Sequence, residues 1–199
     1  MTVQSLPHRR RIHAPDQQPD LAAAEQAATD LLEALGLDLG GDLEETPRRM
    51  AHALAEMVTV PAFEMTTFAN TEGYDELVVV HDIPVRSLCE HHVLPFTGVA
   101  HVGYLPGERI LGLSKLARVV DFYAHRAQTQ ERLTMQVARR LEQELGARGV
   151  GVVVSAEHTC MTLRGAKAPG THTTTSALLG RLRTDPSTRA EFLALTQRA

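Results

Sequence analysis

Val150-Gly151-Val152-Val153-Val154-Ser155-Ala156-Glu157-His158-Thr159-Cys160 is the stretch whose reading settles the fold class. Its first five residues hold four valines, and branched side chains suit a pleated surface better than a helix. Residues 150–158 therefore read as a strand. The end of the stretch carries chemistry. Side chains two apart on a strand share a face, so His158 and Cys160 are expected to look into one site while Thr159 turns away. Before it, residues 130–145 read as a helix, with Leu133, Val137, Leu141 and Leu145 at four-residue steps and Gly146 as the stop. After it, residues 160–164 and 171–179 read as two more β segments, and Asp185-Pro186 caps a short final helix.

Further upstream, Leu113-Ser114 opens a helix that runs to about Ala124. Residues 76–89 are rich in Val and Ile and read as one or two strands, interrupted at Pro84. Residues 93–104 read as another, with Gly98 and Gly103 as bends. Two helices come first. One covers residues 20–35, with Leu21, Ala24, Ala28, Leu31, Leu32 and Leu35 at helical steps. The other starts at Thr46-Pro47, with Thr46 as N-cap and Met50, Leu54 and Met57 on its buried face. Segregated helical and β blocks predict an α+β fold with an antiparallel sheet. Unpaired β edges are commonly hidden by assembly, so an oligomer is expected.

Bulk properties narrow the classes. The chain has 199 residues, 43% of them hydrophobic, which suffices for one domain with a substantial core. There is no Trp, and only five Phe and three Tyr, so Leu, Val and Ala must fill that core. A net charge of −4 argues against a nucleic-acid partner. Residues 1–18 are polar, carry Arg9-Arg10-Arg11, and lack the apolar core of a secretory signal; they read as a disordered tail ahead of a single domain over 19–199. Within that domain, N-terminal helices span about 20–60 and a core spans about 75–199. No apolar run approaches the roughly 20 residues that a membrane span needs, so a cytoplasmic protein without membrane contact is expected.

Only two cysteines are present, too few for a disulfide scaffold. Cys89 opens Cys89-Glu90-His91-His92, and Cys160 closes His158-Thr159-Cys160. Thiolate and imidazole are preferred zinc ligands. The Cys-x2-His spacing lets one turn supply Cys89 and His92, with Cys160 as a third ligand from a distant segment. Three protein ligands leave a fourth position for water, whose pKa falls to about 7 on zinc. His91 and His158 lie beside the ligands and can move protons, which favours hydrolysis over a structural metal. A Cys89–Cys160 disulfide is the alternative, and the adjacent histidines weigh against it.

Four blocks together resemble the zinc-dependent GTP cyclohydrolase I family. They are Cys89-Glu90-His91-His92, Gly112-Leu113-Ser114-Lys115-Leu116, Gln130-Glu131-Arg132-Leu133-Thr134 and His158-Thr159-Cys160-Met161-Thr162-Leu163-Arg164-Gly165, with Glu45-Thr46-Pro47-Arg48-Arg49 upstream. The resemblance implies a tunnelling fold, its antiparallel sheet flanked by helices on one side, with an N-terminal helical extension. It implies an oligomeric β-barrel ring, two pentamers stacked into a homodecamer. It implies the conversion of GTP and water to formate and 7,8-dihydroneopterin triphosphate, the first step of tetrahydrofolate and pterin synthesis. One Zn2+ per protomer would sit on Cys89, His92 and Cys160, with His91 and His158 as catalytic histidines. Glu131 would grip guanine, with Gln130 beside it. Ser114, Lys115, Arg118 and Arg164 would lie near ribose and triphosphate, and Glu90 and Arg49 would complete the substrate contacts.

The residue chemistry agrees. A carboxylate accepts guanine N1–H and the 2-amino group together, a pair that adenine lacks. Arginine clamps phosphate in a plane, where lysine acts as a point charge. Two departures stand out: His52 where a Lys is expected one turn after Arg49, and His172 in a stretch of small hydroxylated residues. The competing readings are a hydrolase of the same fold with another product, and a zinc-stabilised ring protein without activity.

Overall fold

The computed structural model describes residues 8–12, 18–60 and 62–197. Along the chain the elements are β1 (His8–Ile12), α1 (Leu21–Ala34), α2 (Thr46–Val58), β2 (Phe63–Ala69), β3 (Val78–Cys89), β4 (Pro95–Leu105), β5 (Arg109–Leu111), α3 (Ser114–Ala124), β6 (Ala127–Gln128), α4 (Gln130–Leu145), β7 (Gly149–His158), α5 (Thr159–Thr162), β8 (Thr173–Gly180), α6 (Arg181–Thr184) and α7 (Pro186–Thr196). The valine stretch is β7, and the helix before it is α4. Gly146 ends α4 in the left-handed region, at φ 55°, where a residue without Cβ is at ease. Asp20 caps α1 by accepting from the backbone N–H of Ala23 at 3.0 Å.

The main sheet has strand order β6-β3-β4-β7-β8. Its pairings are antiparallel except for β6 against β3, which is parallel. A second sheet, β1-β2-β5, is antiparallel throughout. Helices α3 and α4 lie on one face of the main sheet. Leu116, Val120, Leu133, Val137 and Leu141 bury their side chains there against Val85, Val102, Val150, Val152 and Val154. Every one of these is at most 1% exposed, and burying a side chain of this size contributes about 1.5–3 kcal/mol. This is the α+β sheet-and-helix architecture that the segregated blocks predict.

The other face is used as well. Residues 149, 151 and 153 alternate with the buried valines and so point away from α3 and α4. A row of paired positions, Val79–Gly103–Gly151–Leu178, crosses four strands. The fully buried Phe192 of α7 lies over it, with Leu182 of α6 beside it. A Cβ on Gly103 would meet the Phe192 ring at 2.9 Å, and one on Gly151 would meet it at 2.6 Å. Gly103 is thus a cradle within a continuous strand rather than a bend. Gly98 likewise sits inside β4, where a side chain would strike the Ser155 carbonyl.

Other expectations are corrected. The irregularity in β3 falls at His81-Asp82, with Asp82 at φ 53°, while Pro84 continues in register opposite Val99. Residues 159–162 form the helical turn α5, so no strand runs through 160–164. Thr46 is the first residue of α2 and Glu45 holds the cap position without a side-chain bond. Pro47 and Ala51 are the fully buried residues of α2; Met50, Leu54 and Met57 are half-buried beside them. Residues 8–12, read as part of a disordered tail, form β1, with His8 opposite Thr67 and Ile12 opposite Phe63. The free main-chain edge of β2 supplies that partner, and no local pattern in residues 8–12 discloses it.

Candidate active site

Strand register brings the two cysteine motifs together. β4 lies between β3 and β7, and its Phe96 is paired with Ser87 on one side and His158 on the other. Cys89 at the end of β3 and His158 at the end of β7 therefore finish side by side. The chain after Cys89 folds back at once: Val93 N–H donates to Cys89 O at 2.8 Å, and Cys89 N–H donates to Leu94 O at 2.8 Å. Val93 takes φ 53° to close this turn. The short β6 pairs with Leu88 and Cys89, which delivers the start of α4 to the same place. A cavity of about 310 Å³ results, lined by Cys89, His91, His92, Gln130, Glu131, His158 and Cys160, with Gln128, Thr129, Met161 and Thr173.

The ligand atoms of Cys89, His92 and Cys160 all lie within 4.8 Å of one another. Cys89 Sγ is 3.7 Å from His92 Nδ1 and 3.8 Å from His91 Nδ1. A tetrahedral zinc with bonds of about 2.3 Å to sulfur and 2.0–2.1 Å to nitrogen has ligand–ligand edges of about 3.6–3.8 Å; the Cys89–His92 edge matches that length, and the three residues could hold a metal ion. Both cysteines are free thiols and buried. Burial and the neighbouring Cys89 push the Cys160 thiol up. Two thiols this close resist ionising together, and a cation between them removes that resistance.

The prediction that His158 and Cys160 share a site holds, but through a different geometry. Cys160 is carried into the cavity by the turn of α5 and not by strand alternation. The His158 ring stacks on Phe96, with centroids 4.6 Å apart and planes 10° apart. Its Nε2 is 2.8 Å from Gln130 Oε1. Burial lowers its pKa, and Glu131 opposes that shift, so the ring tends to neutrality. His91 is more open, with its side chain 65% exposed.

Glu90 faces Arg132. The guanidinium donates to both carboxylate oxygens, at 2.6 and 2.8 Å, and holds the Glu90 carboxyl below the usual range. This fork ties the Cys89–His92 turn to the first turn of α4, which carries Glu131. Arg132 and Phe96 were not singled out from the sequence. Arg132 lies within the quoted Gln130–Thr134 block, and only its place beside Glu131 could have flagged it. Phe96 gave no signal beyond its position in a strand.

Ser114, Lys115 and Arg118 stand on α3, Arg49 on α2, and Arg164 after α5; none of them lines this cavity. Arg164 is near enough to Cys160 to favour its thiolate. His52 is exposed on α2. A larger hollow of about 770 Å³, bordered by Asn70, Tyr74, Glu108, Arg109 and Arg148, opens at the other end of the sheet and contains no cysteine or histidine.

Comparison with known proteins is consistent across the chain. The family profile described as GTP cyclohydrolase I matches residues 24–197. GTP cyclohydrolase 1 of Rhodopirellula baltica is 50% identical over 193 residues, covering 94% of this chain and 83% of its own. That of Mycobacterium ulcerans is 50% identical over 185 residues, covering 90% and 92%. That of Mycobacterium leprae is 49% identical over 194 residues, covering 94% and 93%. The chain belongs to the GTP cyclohydrolase I family. The span matched to GTP cyclohydrolase I contains every residue that lines the cavity, from Cys89 to Thr173, and leaves β1 outside. In this GTP cyclohydrolase I chain the cavity therefore belongs to the part shared with the family.

Proposed function

We propose that this protein is a GTP cyclohydrolase, converting GTP and water to formate and 7,8-dihydroneopterin triphosphate. One observation carries the reading. A Cys89–His92–Cys160 set that fits zinc shares a cavity with His158, His91 and Glu131, in a chain that belongs to this family.

Zinc on those three residues would lower the pKa of a water on its fourth position to about 7. The chain's own groups do the rest. Glu131 accepts guanine N1–H and the 2-amino group as a charge-assisted pair. His158 passes protons to and from the purine as water adds at C8 and the imidazole ring opens; a second water then releases C8 as formate. The ribose rearranges and closes on the pyrimidine amines with loss of one water, so one water is consumed overall. His91 relays the water proton.

Ser114, Lys115, Arg118, Arg164 and Arg49 are proposed to meet the ribose and triphosphate. These residues lie outside the cavity of a single chain, which supports a site completed between protomers of a homo-oligomer, in our reading a decamer. Among the described residues no helix is long and apolar enough to cross a membrane. The test is incubation of the zinc-loaded protein with GTP, followed by oxidation. Pterin fluorescence and stoichiometric formate are expected. Absence of both, with zinc and GTP bound, would overturn the proposal.

A further inference from the structure

Gln130 opens α4 yet is only 2% exposed. The surroundings of its amide decide which end is which. Nε2 lies 3.0 Å from Val154 O, 2.9 Å from Thr173 O and 3.1 Å from Thr175 Oγ1. The two carbonyls can only accept. The Thr175 hydroxyl is committed elsewhere: Thr134 Oγ1 donates to Gln130 O at 2.7 Å, so it receives the Thr175 proton, also at 2.7 Å. Thr175 Oγ1 is thus a third acceptor toward the amide. An end surrounded by three acceptors must be the NH2, and the end 2.8 Å from His158 Nε2 must be the oxygen. A carbonyl oxygen cannot donate, so Nε2 carries the hydrogen. Among the described residues no hydrogen bond engages His158 Nδ1.

We infer that Gln130 is a positioning residue that fixes His158 in the Nε2–H tautomer, leaving Nδ1 as the ring nitrogen with a free lone pair. The Phe96 stack holds the plane of the ring, and Gln130 holds its hydrogen. Both ends of the Gln130 amide are engaged inside the protein, which ties this side chain to His158 and to β7 and β8. The consequence for turnover rests on the GTP cyclohydrolase reading; the tautomer does not.

The direct test is neutron diffraction from deuterium-exchanged crystals of the zinc-loaded protein. At about pH 8.5, roughly two units above the ordinary imidazole pKa, deuterium is expected between Nε2 and Gln130 Oε1, with Nδ1 bare. Deuterium on Nδ1 and a bare Nε2 would overturn the inference. Gln130→Met keeps the bulk and removes the fixing oxygen. It is expected to retain zinc and a KM for GTP within about threefold, while kcat falls by on the order of 10²–10⁴, the scale of a lost acid–base group or a wrong tautomer. An unchanged kcat in a zinc-replete Gln130→Met protein would also overturn it. Should that variant not fold, the neutron map decides alone. Should the wild-type protein make no pterin, the reaction assignment fails and the deuterium position still judges the tautomer.

Discussion

Cys160 shows how a residue can be placed correctly by the wrong geometry. Its pairing with His158 was legible because the two stand close in sequence on a strand that ends at a site. The helical turn at 159–162 was not, because four residues with Thr at both ends give no periodicity to read. The proposed metal role does not depend on that difference. Cys160→Ala is expected to lose most of the zinc in metal analysis, since two ligands on one turn hold the ion far more weakly than three. Full retention would remove Cys160 from the site. Glu131→Gln should keep zinc but weaken GTP binding at least about tenfold, roughly 1.4 kcal/mol, because an amide cannot accept both guanine protons with charge; equilibrium binding of a non-reacting GTP analogue measures it. His158→Ala should keep zinc and GTP binding and lose on the order of 10²–10⁴ in turnover. Near-normal turnover would pass the proton to His91.

At the scale of elements, strong periodicity was legible and borrowed edges were not. α1, α4 and β7 follow from spacing and from valine content. β2, β5 and β6 escaped because seven, three and two residues become strands only through partners distant in sequence, and β propensity measures such packing more than local preference. The glycines of β4 were misread for a related reason: their purpose lies in what crosses over them. Gly151→Val is expected to cost about 1–3 kcal/mol by overpacking against Phe192 and Leu182, measured by urea unfolding, with zinc content unchanged because this contact is remote from Cys89. Adding Phe192→Ala should cost less in that background than in the wild type, as coupled neighbours do. Asp185, which caps α7, is held below the ordinary aspartate range by the Thr188 hydroxyl and the Ser187 N–H. Its contribution is complete above the unfolded pKa and is lost as pH falls through the lowered one. Asp185→Ala should therefore reduce stability near neutrality and flatten the acid side of the stability curve.

For the whole molecule, a single chain brings three residues that could hold a metal ion and the Glu131 carboxylate to one cavity, but keeps its candidate phosphate cations elsewhere. The expected outcome is an assembly larger than a dimer, ten chains in our reading, by light scattering at micromolar concentration. A fully active monomer would defeat it. Charge and hydropathy set the broad class of this protein early, while the expectation of an assembly rests on unpaired β edges and on the family resemblance. The place of Phe96, flanked by Ser87 and His158, also bears on biogenesis. Cys89 and His92 leave the ribosome long before Cys160, and the three meet only once β7 has zipped onto β4. An ion that needs all three ligands can therefore be held only by a scaffold in which β7 is already paired with β4.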